Sequence, residues 1–184
     1  MRSVACLLLC AAVAGCVASD ADPAGALPTY VTISDAGAGG IGAGTRYGEA
    51  SLKAALPGAD IRGVEAAREN GTGHTLAAFV DGVQVVQVFK AADGSVGEIH
   101  GVTHRLAGPN GERIGMSLRQ AGLSRESCRI GRNLWRGMAV CPARRSQQVT
   151  LVFSIPGYDG PFDELPAAAV IGEAELQRII WQAP

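Results

Sequence analysis

Several groups of residues have the types and spacing that chemistry could use. Gly37-Ala38-Gly39-Gly40-Ile41-Gly42 formally carries G-x-G-x-x-G between a strand-like stretch and a helix-like one, and Asp60 follows where a dinucleotide fold places its ribose-binding acid. Such a fold needs alternating strands and crossover helices, whereas the residues that follow read as meandering hairpins. The glycines are therefore read as a turn or bulge in a chain that has 25 of them. His100 and His104 stand four apart with Glu98 two residues before the first, a spacing that could hold a metal on a helix. Their surroundings, GEIHGVTHRL, read as strand, where residues four apart share a face but sit ~13 Å from each other. Asp159, Asp163 and Glu164 gather in YDGPFDELP, with no apolar wall to raise one carboxyl pKa for acid/base work, and read as a solvated loop. With no G-x-S-x-G elbow, H-E-x-x-H helix or P-loop, an enzyme reading lacks a nucleophile. No catalytic residue, cofactor or metal is expected.

The arginines are a stronger signal. The net charge of the chain is −1, which argues against a general nucleic-acid binder, but the distribution is uneven. Between Arg105 and Arg145 nine arginines stand against Glu112 and Glu126, a local balance of +7. Guanidinium forks grip phosphate and carboxylate through paired hydrogen bonds, so Arg129, Arg132 and Arg136 are candidates for a face that meets an anionic partner. The alternative is a chain that solvates one face with its preferred cation, since lysine occurs only at Lys53 and Lys90.

Five cysteines set the compartment. Arg2 supplies a positive start and Val4 to Ala12 an apolar run too short to span a bilayer, which takes ~20 helical residues. The run closes on Val13-Ala14-Gly15-Cys16, which resembles the lipobox of bacterial prolipoproteins. That resemblance implies a signal peptide over residues 1–15 and a diacylglycerol on the Cys16 thiol, usually joined by an acyl chain on the new amino group. At ~0.8 kcal/mol per buried methylene, such chains hold a protein on a membrane. Val17 stands where an inner-membrane lipoprotein of enteric type usually carries Asp, so the outer membrane, on its periplasmic face, is the expected location. Cys6 and Cys10 leave with the signal, and Cys128 and Cys141 remain. In an oxidising compartment they are expected to pair, closing a loop of about 14 residues and contributing ~3 kcal/mol.

The elements that would position these groups can be placed coarsely. Residues 17–28 are small, polar and aperiodic, a flexible tether. A strand is expected over Thr29 to Ser34 and a helix over Arg46 to Leu56, closed by Pro57-Gly58. His74 to Val80 and Val83 to Lys90 flank Asp81-Gly82, a strong hairpin signal, and Ser95 to Val102 follows as a third strand. In the second of these, Val83, Val85, Gln87 and Phe89 are set on one face and Gln84, Val86, Val88 and Lys90 on the other, so both sides should be partly covered. Ser117 and Gln120 fit a capping box opening a second helix that runs to about Leu123. Strands are expected around Gly137 to Cys141, Gln147 to Ile155 and Leu176 to Trp181. The fold class is α+β: antiparallel sheet with two short helices in a single domain over residues 29–184. The order of elements, and the alignment of Gly44 to Leu52 with Gly115 to Leu123, raise the idea of two similar helix-plus-meander halves.

With the lipobox, the spaced Cys128 and Cys141, GERIGMSLRQAGL and the closing ELQRIIW, the chain resembles the RpoE-regulated lipoproteins of Gram-negative bacteria, a domain family of unknown function, from about Tyr30 to Trp181. The resemblance implies an envelope setting and a link to envelope stress, and brings no catalytic residues. A non-catalytic binding or accessory module of the envelope is the expected function. A cell-wall or lipid hydrolase, or an inhibitor of an exported enzyme acting through Tyr158 to Leu165, are the competing classes.

Overall fold

The computed structural model describes residues 29–184; the expected signal peptide, Cys16 and the tether lie outside the described residues. The chain begins with β1 (Val31–Ser34), β2 (Gly37–Ala38) and α1 (Glu49–Ala55), then enters β3 (Asp60–Arg68), β4 (Gly71–Val80), β5 (Val83–Lys90) and β6 (Val96–Gly101). After the short β7 (Leu106–Ala107) come β8 (Arg129–Ile130), β9 (Ala139–Pro142), β10 (Val149–Ser154), the single turn α2 (Ala168–Ile171) and β11 (Glu175–Gln182). The result is dominated by sheet, with α1 as the only helix of more than one turn among the described residues.

Eight strands form one antiparallel sheet in the order β3-β4-β5-β6-β11-β10-β9-β8. Four strands in sequence order meet four in reverse order, and the last strand of each set, β6 and β11, lie side by side at the centre. A small sheet, β2-β1-β7, packs with α1 on the first face. There one core joins Ile33, Leu52, Ile99, Leu106, Leu151 and Trp181. Trp181 is fully buried, and its indole donates to the Asp35 carbonyl at 3.0 Å, which gives its one polar group a partner inside an apolar wall. Members of this one core run from Val31 to Trp181.

Local chemistry accounts for most elements. Asp81 and Gly82 take φ of 52° and 77°, the left-handed pair that a two-residue hairpin demands. The glycine run is a tight turn: Gly37 has φ 123°, and a Cβ there would fall 1.9 Å from the Ile41 carbonyl oxygen. No dinucleotide unit follows it, because the next strands are hairpin-linked.

Three expectations need correction. The capping box at Ser117 is formed, with Ser117 N donating to Gln120 Oε1 at 2.8 Å and Gln120 N donating to Ser117 Oγ at 3.1 Å. It opens only a turn, because Gly122 takes φ 69° and the Leu123 amide folds back to the Leu118 carbonyl, so no second helix stands there. The nine residues of β3 fall in a stretch for which no strand is expected; DIRGVEAAR is charged and alanine-rich and lacks a strand signature, yet it pairs with β4 along its whole length. In β5 a bulge opposite Ala78 and Phe79 shifts the alternation, so that Val85 joins Val86 and Val88 in the first-face core and leaves Gln87 and Phe89 on the second face.

Candidate functional site

Among the described residues no α-helix lies on the second face of the sheet. A strap, Gly131 to Met138, crosses it instead, built on a 3-10 turn at Asn133–Trp135. Its base is pinched: the Gly131 amide donates to the Met138 carbonyl at 2.8 Å, and a Cβ on Gly131 would lie 2.2 Å from the Trp135 carbonyl oxygen. Trp135 is buried beneath the strap against Val140, Val152 and Ile180, a second small apolar cluster.

Glu69, in the turn between β3 and β4, ties the strap to the far edge of the sheet. Arg129 forks onto it at 2.6 and 2.7 Å, and the Arg132 amide donates to Oε1 at 2.8 Å. The Leu134 amide donates to the Glu69 carbonyl at 3.2 Å, and Asn133 bonds Asn70 beside it. The Arg129 hydrogen bond, helped by the Arg132 amide, holds the Glu69 carboxyl below its ordinary pKa against the opposing effect of burial. Edge strands β3 and β8, which share no ladder, are thereby linked. Glu69→Ala is expected to cost about 2 kcal/mol, because one substitution orphans several donors. It should also leave Trp135 open to collisional quenchers. Stability and quenching equal to the parent's would show that Glu69 does not hold the strap.

Beneath Trp135 lies a buried titratable pair. His100 is fully buried, walled by Phe89 at 4.7 Å and Trp135 at 6.0 Å between ring centroids. Its Nε2 lies 2.5 Å from Glu98 Oε1, and its Nδ1 has no partner among the described residues. Burial pushes the imidazole below its ordinary pKa, with Glu98 opposing. Arg68 lies 3.9 Å from Glu98 and stacks on Phe89. In the sequence His100 and Glu98 stand out only as metal candidates with His104. The structure keeps the first two together and puts His104 in an exposed turn. Among the described residues no three His, Cys, Asp or Glu side chains gather as a metal site.

The strap divides the face into two clefts, and Trp135 lines both. The smaller, about 180 Å³, carries Arg68 and Arg129 matched by Glu98 and Glu69. The larger, about 700 Å³, opens between the strap and β5 and is lined by Arg178 with no acidic residue. Arg178 was not singled out in the sequence, although an arginine set between leucine and paired isoleucines in LQRIIW is an available signal of a cation held inside a strand.

The cysteines and arginines distribute as follows. Cys128 and Cys141 form a disulfide, with the Arg129–Val140 register setting them opposite each other. It closes the loop that contains β8 and the strap. Of the three arginines proposed for an anionic face, Arg129 is engaged by Glu69, while Arg132 and Arg136 flank the strap turn with exposed side chains. Others hold the fold elsewhere: Arg105 pairs with Asp81, Arg119 with Glu173, and Arg125 donates to the Leu165 and Pro166 carbonyls. The positive stretch is therefore spread over the domain. Two exposed arginines fall on the strap, Arg132 and Arg136, and two on the turn between β9 and β10, Arg144 and Arg145.

A sheet-dominated domain with a strapped, helix-free face and a disulfide at the root of the strap defines the class. The chain belongs to the family described as protein of unknown function (DUF1131), whose model matches residues 16–183. It is similar in fold to the uncharacterized protein yfeY from Escherichia coli, whose crystal structure it matches with a TM-score of 0.64. The match is 18% identical and covers 84% of this chain and 99% of that one. No curated protein matches the chain.

Proposed function

We propose that this chain is a lipid-anchored accessory module of the Gram-negative outer membrane, facing the periplasm, which binds anionic envelope material through the strapped face without catalysing a reaction. The observation that carries this reading is the helix-free second face, crossed by a strap that presents exposed Arg132, Leu134 and Arg136 above two clefts. Acylation of Cys16 supplies the anchor, and the likeness to RpoE-regulated lipoproteins supplies the link to envelope stress. Among the described residues no helix is long and apolar enough to cross a membrane.

The His100 and Glu98 pair is the constellation a hydrolase would use. It favours the binder, because Phe89 and Trp135 wall off His100 and no serine, threonine or cysteine hydrogen-bonds to the pair among the described residues. An inhibitor would present Tyr158 to Leu165 freely, whereas Arg125 fastens the end of that loop and Phe162 packs beside Gly137 at the strap. As to origin, the strand order favours two copies of one unit. The bonds Tyr47 N to Gly94 O and Val96 N to Thr45 O are matched by Leu118 N to Ala174 O and Leu176 N to Met116 O, joining each unit's opening turn to its last strand. Superposition of residues 44–102 on 115–182 tests that descent.

Radiolabelled palmitate should enter the parent chain and not Cys16→Ser, which should also leave the membrane fraction. A photo-crosslinking residue at Leu134 should give envelope adducts in cells, and one at Val170, exposed in α2, should not. Arg132→Glu with Arg136→Glu should weaken salt-sensitive retention on anionic vesicles; Arg129 is left intact because it holds the strap. Absence of palmitate, or adducts equal at both positions, would overturn the proposal.

A further inference from the structure

We infer that the larger cleft binds an amphiphile with one anionic group, with Arg178 as its counter-ion and the apolar mouth of the cleft as the seat of its hydrocarbon. This rests on reading the strapped face as the binding surface, and it names the ligand class.

Arg178 projects from the middle of β11 onto the second face, and its side chain is partly buried, which lowers its pKa without discharging it. None of the ion pairs among the described residues includes Arg178. Among the described residues its one side-chain hydrogen bond runs from Nη1 to Gln87 Oε1 at 3.1 Å. Gln87 is itself oriented by donating Nε2 to Gln84 Oε1 at 2.9 Å, so its carbonyl oxygen is presented to Arg178. A half-buried charge with a single neutral partner is costly unless something of opposite sign completes it. The remaining donors open onto a cleft of about 700 Å³ that contains no Asp or Glu, with Thr103, Ser154 and Gln177 as neutral polar neighbours. The smaller cleft differs in that its two arginines already have two glutamates.

The apolar half of the ligand is read from the rim. Val83 and Leu134 are two of the four exposed large hydrophobic residues of the domain, 42% and 53% exposed, and both line this cleft, with Met138 and Trp135 below. An anionic head at Arg178 and a hydrocarbon arm across Val83 and Leu134 would satisfy both in one molecule.

The full chain can be titrated with octyl phosphate, octyl glucoside and inorganic phosphate, following the fluorescence of Trp135; Trp181, sealed in the other core, gives a constant background. Octyl phosphate should bind saturably and at least about tenfold more tightly than either control. Arg178→Gln should remove at least about tenfold of that affinity, and Leu134→Asp, at an exposed position that leaves the fold intact, should do the same. Trp135→Phe should abolish the signal. Equal affinity for inorganic phosphate would leave the apolar rim without a role, and equal affinity for octyl glucoside would leave Arg178 without one; either overturns the inference. So would self-association lost in Leu134→Asp, which would make a second copy the occupant. These outcomes leave the crosslinking result at Leu134 standing. Failure of that crosslink with a successful titration would instead remove the envelope reading and keep the site.

Discussion

Replacing Cys128 and Cys141 together by alanine should lower the stability of the domain by about 3 kcal/mol, the loop-closure value for a ring of this size. For a domain of this length that is a drop in Tm of roughly 6 to 12 °C. The disulfide closes the segment from β8 to β9, so its loss also frees the root of the strap, and Trp135 should become more accessible to quenchers. A reductant should reproduce both effects in the parent and change nothing further in the double variant. A Tm within about 2 °C of the parent's would mean that the ladder between β8 and β9 holds the strap unaided.

Trp135→Ala should cost about 3 kcal/mol, the lower end of the range for deleting a buried aromatic, because the second apolar cluster loses its largest member. The same change unroofs His100. In the parent, burial holds His100 below its ordinary value of 6.5, so at pH values between the two the unfolded chain binds more protons than the folded one. Stability therefore rises with pH across that window and falls as the pH drops below about 6.5. With Trp135 removed, the His100 pKa should move back toward its ordinary value and this acid-side slope should flatten. Denaturation curves at several pH values, with the His100 ring proton followed by NMR, separate the cavity cost from the titration. A variant with unchanged slope and unchanged His100 titration would show that Phe89 alone seals the ring.

How much of this was legible in the sequence depended on whether the signal was local. Asp81-Gly82 fixed a hairpin because the backbone angles are a property of those two residues, and Val83 to Lys90 was bounded correctly on both sides. The disulfide followed from counting cysteines once the compartment was assumed. β3 was not legible, since Arg62, Arg68 and Ala66 become strand residues only by pairing with β4 and by lying across Phe79 and Phe89. The helix at Ser117 failed for the opposite reason: its start signal is real, but Gly122 stops it after one turn. At the site, the arginine count points to Arg129, Arg132 and Arg136, whereas the partly buried arginine that lines the larger cleft without an ion pair among the described residues is Arg178. Lone position in a strand is a weaker signal than clustering, and only the sheet order reveals that β11 runs through the centre with Arg178 facing the cleft.

That central place of β11 bears on when the molecule can be assembled. Of the strands in this sheet β11 comes after all the others in the chain and lies between β6 and β10, so the β3 to β6 meander and the β8 to β10 meander have no ladder between them until residues 175–182 have left the ribosome. Pairings so distant in sequence are slow to form, and a nascent chain stopped short of them stays open. A sheet built this way stays in two parts until β11 is made and is joined by that one strand.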